Sequence, residues 1–146
     1  MESARPATAG DTERITELCV QARGELAAER GAQILLHREL RPDEGDGRRM
    51  WVGTYDDVVV GYLTAEIEPL ADGTTLGRLP EIYVEPGARA VGVGEAMIDL
   101  ALAWLTEQGC RGVDAYALPG MRDTKNFFET FGFTTRLLVV HRTLGG

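Results

Sequence analysis

Apolar residues recur along this chain in two rhythms, and the switches between them mark out its elements. Ile15, Leu18, Cys19, Ala22 and Leu26 fall on one face at helical spacing, so Asp11 to Arg30 reads as an amphipathic helix. Glu2 to Ala7 predicts a short edge strand, and Gly31 to Leu40 leans towards a second helix. Arg41 to Arg48 is a polar loop containing Asp43, Glu44 and Asp46. Strands are expected over Met50 to Tyr55 and Val58 to Glu68, joined at Asp56-Asp57. The turn Ala71-Asp72-Gly73 leads into a third, Leu76 to Val84. A long helical pattern opens near Gly92 and closes at Gly109, with Met97, Ala101, Trp104 and Leu105 as its packing stripe. A short strand over Gly112 to Leu118, a further helix and a last strand over Thr134 to Thr143 complete the chain. Strands first, then alternating helices and strands, make an α/β domain with a mixed sheet.

The junction between the third strand and the long helix carries the most chemistry. Arg89-Ala90-Val91-Gly92-Val93-Gly94 puts a glycine-bearing turn at a helix start, where unpaired N–H groups and the positive end of the helix dipole gather. Its glycines admit a bulky phosphate, and Arg89 adds a charged fork, so a pyrophosphate is the expected anion. An ATP-type phosphate loop is excluded, because Glu95-Ala96 stands where Lys and Ser or Thr are needed. The dinucleotide fingerprint lacks its third glycine, replaced by Met97.

Arg-x-x-Gly-x-Gly after Tyr83-Val84-Glu85-Pro86 resembles the coenzyme A pyrophosphate loop of the GNAT N-acetyltransferase superfamily. Lys125-Asn126-Phe127-Phe128-Glu129-Thr130-Phe131-Gly132-Phe133 is similar to that family's fourth-helix ending. The likeness runs from about Arg49 to Phe133. It implies a GNAT-like mixed, splayed β-sheet of six to seven strands flanked by about four helices, in one domain spanning residues 1–146. It also implies acetyl-CoA as co-substrate, with no metal. On the resemblance, backbone groups of Ile82 and Val84 hydrogen-bond the pantetheine arm, and the amides of Ala90, Val91, Gly92, Val93 and Gly94 hold the pyrophosphate beside Arg89.

Acetyl transfer to an amine needs a base, an oxyanion donor and a departing thiol. Glu81 is the candidate base, against the alternative of a solvent-facing strand carboxylate. A backbone N–H at the strand break, that of Val84, is the candidate oxyanion donor. Tyr83 either lines the site or packs. Two positions depart from the family pattern: Phe128 stands where a tyrosine usually neighbours the sulfur, and Met121 where an asparagine reaches the pantetheine. Thr124, Lys125 and Phe128 share a helical face with Met121 and are expected near the cofactor. Arg122 or Lys125 reaches the 3′-phosphate, or is a solvated helix charge. His37 and His141 lie outside the motifs and read as structural or surface residues.

The implied activity is N-acetyl transfer to a small molecule or peptide by direct amine attack in a ternary complex. The alternative is a non-catalytic acyl-CoA-binding module, favoured by the two departures. The acceptor groove is expected from Glu29 to Arg48 and from Pro69 to Thr74. A net charge of −8 argues against nucleic acid and fits a cationic acceptor. No apolar run suits a bilayer and no secretion signal is visible, so a cytoplasmic protein that binds no membrane is expected. Cys19 and Cys110 read as incidental thiols rather than a disulfide or metal pair. The resemblance also makes a homodimer plausible, through an edge strand such as the last.

Overall fold

A computed structural model describes residues 1–30 and 47–145. Its first half is an antiparallel meander. Strand β1 (Glu2–Pro6) pairs with β2 (Arg48–Tyr55), which pairs with β3 (Val58–Pro69). Asp56 and Asp57 both take positive φ (49° and 66°), the conformation that matches a two-residue hairpin turn to the strand twist. Gly53 pairs with Gly61 and Thr54 with Val59, leaving Val60 as an extra residue in β3. That bulge flips the alternation, so Val59 and Tyr62 belong to one core cluster while Val60 and Leu63 belong to the other.

Three helices are described, and they cover the two faces of the sheet. Helix α1 (Thr12–Leu26) lays Ile15, Leu18, Cys19 and Ala22 on Met50, Val52, Val59, Tyr62 and Tyr83. Its start is tied to β1 by Asp11, whose carboxylate accepts Arg5 N–H groups at 2.8 and 2.9 Å. That guanidinium holds the Asp11 carboxyl well below the usual carboxylate range. On the opposite face, α2 (Val93–Glu107) and α3 (Arg122–Glu129) share a second core with Trp51, Leu63, Ala65 and Leu79. Gly53 is what lets α2 start so close to the sheet, since a Cβ there would stand 2.2 Å from a Val93 methyl.

The third predicted strand is two strands. β4 (Thr75–Leu79) continues from β3 and pairs in parallel with β6 (Val113–Ala115), whereas β5 (Ile82–Val84) pairs only with β3. The break falls at Pro80-Glu81, where Thr64 takes over: its hydroxyl accepts the Glu81 N–H at 3.1 Å and its N–H donates to the Glu81 carbonyl at 3.0 Å. The sheet is therefore mixed, six-stranded and parted between β5 and β6, as the GNAT likeness implies. The predicted second helix, Gly31 to Leu40, and His37 lie outside the described residues.

The last prediction fails. Thr134 to Thr143 joins no strand ladder among the described residues, and Leu137, Leu138, Val139 and Val140 are 65%, 81%, 86% and 93% exposed. Apolar, β-branched sequence supplies one half of a strand; the hydrogen-bonding edge must come from elsewhere.

Candidate active site

The parting of the sheet gives β5 one paired side and one open side. Glu81 and Glu85 direct their backbone bonds at β3, through Thr64 N–H to Glu81 O at 3.0 Å and Glu85 N–H to Val60 O at 2.9 Å. By the two-residue alternation of a strand, the N–H and C=O groups of Ile82 and Val84 point the other way, into the notch towards β6. The side chains of Ile82 and Val84 pack on the α2 core, and Tyr83 packs under α1.

Beyond β5, a short 3-10 turn (Pro86–Ala88) leads to Gly92, the N-cap of α2, in the left-handed region at φ 82°. A side chain is strained in that conformation, so glycine fixes how the chain enters the helix. Among the described residues no side chain caps this end. The first amides of α2 therefore point outward unpaired, and Val91 N–H makes only a long 3.5 Å contact with Ala88 O. Val93 and Gly94 are buried, with the Phe127 ring standing about 3.1 Å from where a Gly94 Cβ would lie.

Arg89 does not add its fork to this turn. Its Nε donates to Val84 O at 2.8 Å, a terminal nitrogen donates to Glu25 Oε1 at 2.6 Å, and its guanidinium lies 5.5 Å from the Tyr83 ring centre. Glu25 also accepts the Tyr83 hydroxyl, which lies 3.3 Å from Gln21 Oε1 as well. Burial, then the Glu25 carboxylate, push the Tyr83 phenol up to about 12, so it stays a donor. Tyr83 is thus a packed residue that also latches α1 to the turn.

Glu81 sits at the break, half-buried, on the α1 face. Burial raises its carboxyl above the usual range; the Arg23 cation and the Tyr62 hydroxyl oppose that rise. Tyr62 is 1% exposed, and burial, then the Glu81 charge, hold its phenol far above the ordinary value. Cys19 completes the cluster, its thiol pushed up by desolvation. Glu81 is thus a partly desolvated carboxylate with an ionisable neighbour on each side.

Helix α3 sets its three sequence-predicted residues in different surroundings. Phe128 is 5% exposed and packs against Phe127 and Phe133, with ring centres 5.5 and 5.3 Å away. Lys125 pairs with Glu129 at 2.7 Å on the exposed side, and Thr124 is half-buried. A hollow of about 570 Å³ beside the helix-entry turn is lined by Tyr55, Asp56, Glu85 and Val91 but by none of Glu81, Ile82 or Val84.

Sequence reasoning missed Glu25, Gln21, Tyr62 and Arg23. Their positions follow from the pairing of Tyr62 with Tyr83 and from how α1 lies across it. The only trace in the sequence is the four-residue spacing of Gln21 and Glu25, which puts them on one helix face.

The match to the acetyltransferase (GNAT) family model covers residues 13–133, so the chain belongs to that family. Solved structures give the same fold. An aminoglycoside N-acetyltransferase in complex with CoA is 21% identical, with TM-score 0.72 over 97% of this chain and 98% of that one. A ribosomal-protein-alanine N-acetyltransferase from Brucella melitensis biovar Abortus 2308 is 16% identical, with TM-score 0.72 over 99% and 100%. The BH1408 protein of Bacillus halodurans, as a tetramutant, reaches TM-score 0.81 at 13% identity over 97% and 99%. No curated relative matches by sequence.

Members of this family use acetyl-CoA, and the residues present suit it. An open strand edge offers backbone donors and acceptors to an amide-bearing arm, and an uncapped helix start offers N–H groups to a diphosphate. Among the described residues no helix is long and apolar enough to cross a membrane.

Proposed function

We propose that the chain is an N-acetyltransferase that moves acetyl from CoA to an amine by direct attack, with both substrates bound together. One observation carries this reading: a half-buried carboxylate with a raised pKa, Glu81, stands at the sheet break next to the strand edge of Ile82 and Val84. Acetyl-CoA supplies an acyl group activated as a thioester. Glu81 takes the proton of the acceptor ammonium, with Arg23 and Tyr62 favouring its anionic form until it does so. Val84 N–H, turned into the notch, is a donor for the oxyanion that develops on the carbonyl. The N–H and C=O of Ile82 position the arm, and the amides from Ala90 to Gly94 hold the diphosphate.

No side chain of α3 protonates the departing sulfur. Phe128 has no proton to give, so the sulfur leaves as a thiolate, the conjugate base of a thiol of pKa about 8.5, and takes its proton from water. Arg89 enters as a brace: it holds the Val84 carbonyl and Glu25, and thereby the geometry of the edge, with the diphosphate left to the amides. The acceptor approaches along the α1 face, where Glu81, Glu25 and Glu17 favour a cationic amine. Two structural relatives carry aminoglycoside acetyltransferase names and one a ribosomal-protein-alanine name, which widens the panel to polyamines, aminoglycosides and peptide N-termini.

The test is thiol release from acetyl-CoA in the presence of that panel. Release that depends on an amine and is lost in Glu81→Gln supports transfer. CoA binding without release on any amine supports the non-catalytic acyl-CoA-binding module instead.

A further inference from the structure

The parting of the sheet has a second lip, on the β6 side. The last rung between β4 and β6 sets Leu79 opposite Ala115, and one residue further come Pro80 on one strand and Tyr116 on the other. Tyr116 thus stands beside the break that Glu81 occupies. Leu79 and Ala115 pack in the α2 core, so by strand alternation Arg78 and Tyr116 lie on the α1 face, which is also the face of Glu81. At 47% exposure, Tyr116 is open to an incoming acceptor.

Its hydroxyl is engaged on one side only. Arg78 Nε donates to Tyr116 Oη at 2.9 Å, with the guanidinium 5.7 Å from the ring centre. Arg78 is held in turn by Glu66, its rung partner on β3, at 3.3 Å. A phenol that accepts from a guanidinium keeps its own proton to give, and among the described residues that O–H donates to no side chain. The ligand atom it can serve is therefore a hydrogen-bond acceptor. The charges around it agree. Arg136, paired with Asp114, adds a second cation within electrostatic reach of the phenol. With Glu66 and Asp114 committed to these two cations, neither carboxylate is left to receive a second ammonium. Glu68, the next carboxylate on that face of β3, lies two residues farther from the break. An oxygen is favoured at this lip over another positive charge.

We propose that Tyr116 selects the acceptor: an amine whose own carbonyl or hydroxyl oxygen lies within a few bonds of the nitrogen, the nitrogen at Glu81 and the oxygen accepting the Tyr116 O–H. This rests on the acetyl-transfer reading and narrows it. A peptide N-terminus carries such an oxygen as its first carbonyl, and an amino sugar as a neighbouring hydroxyl; a plain alkyl diamine carries none. Two contacts, one on each lip, also fix the direction in which the nitrogen faces the thioester.

NMR titration of the full chain, with CoA present and no acetyl group to transfer, compares glycyl-glycinamide, glucosamine and 1,4-diaminobutane. At least one of the oxygen-bearing pair is expected to bind about tenfold tighter than the diamine, and the one that leads tells a carbonyl from a hydroxyl. Tyr116→Phe keeps the ring and is expected to weaken that amine by about five- to tenfold, leaving the diamine within about twofold. No binding by any of them, equal binding, a preference for the diamine, or a preference that survives Tyr116→Phe overturns the proposal. Thiol release from acetyl-CoA separates this from the reading it rests on. Release without the oxygen preference sinks only the role of Tyr116, whereas the preference in binding without release on any amine sinks only acetyl transfer.

Discussion

The two faces of the sheet around β5 are built on opposite principles. On the α1 face, ionisable groups are gathered and partly desolvated: Glu81 with Tyr62, Arg23 and Cys19, and Glu25 with Tyr83 and Arg89. On the α2 and α3 face, the packing is aliphatic and aromatic throughout, from Leu63 and Met97 to Phe128. Beside that packing, the open edge of Ile82 and Val84 and the start of α2 offer backbone polar groups. On the proposed function, proton handling and acceptor choice fall to side chains that substitution can change. On the same proposal, cofactor grip falls to main chain, which substitution disturbs only through conformation. A family that keeps its cofactor while varying its acceptors is well served by that division.

The largest effect is expected from removing the base. Glu81→Gln should lower kcat/KM by about 10²- to 10⁴-fold. Because burial raises the Glu81 pKa, the wild-type rate should climb with pH through that raised value as the carboxyl deprotonates, and then level off. The variant should lose that limb. A variant profile that keeps it places the titrating group elsewhere.

Next in size is a polar intrusion into the dry face. Phe128→Tyr restores the hydroxyl that the family pattern has, but here it would enter a cluster with Phe127 and Phe133. An unsatisfied buried hydroxyl costs about 1–3 kcal/mol. Thermal denaturation should therefore show a Tm lower by several degrees, with no gain in turnover. Faster thiol release at unchanged Tm would instead mean that the ring edge reaches the sulfur.

The backbone grip is tested through conformation. Gly92→Val forces a β-branched residue into the left-handed region at φ 82°, at about 1–2 kcal/mol, and redirects the first amides of α2. CoA affinity by calorimetry should fall about tenfold, while the pH profile keeps its shape. The smallest effect belongs to the brace. Glu25→Gln removes an exposed ion pair and should change kcat/KM within about fivefold. It should also bring the Tyr83 phenol down from about 12, which ultraviolet titration of the tyrosines can follow.

Much of this architecture was legible in residue order. Periodicity located α1, β2, β3 and α2, because each has a long amphipathic or alternating pattern of its own. The glycine turn before α2 was legible as an uncapped helix start, because a positive φ and unpaired amides follow from local sequence. Features that depend on a neighbour were not legible. The break at Pro80-Glu81 exists because Thr64 bridges it from another strand. The Arg89 fork went to Glu25 and Val84 because α1 lies within its reach. Leu137–Val140 has strand composition but pairs with no strand among the described residues. In each case the deciding partner is distant in sequence, so no window of residues contains the answer.

The central claim is that backbone groups on both sides of Glu85 to Ala88 hold a CoA thioester. An amide-resolved NMR titration of the full chain with CoA tests it most directly. Saturable shifts at Ile82, Val84 and Gly92 to Glu95, with Leu18 of α1 and Val52 beneath it unmoved, are the predicted result. Shifts absent at millimolar CoA, or confined to residues away from that edge and turn, would contradict it.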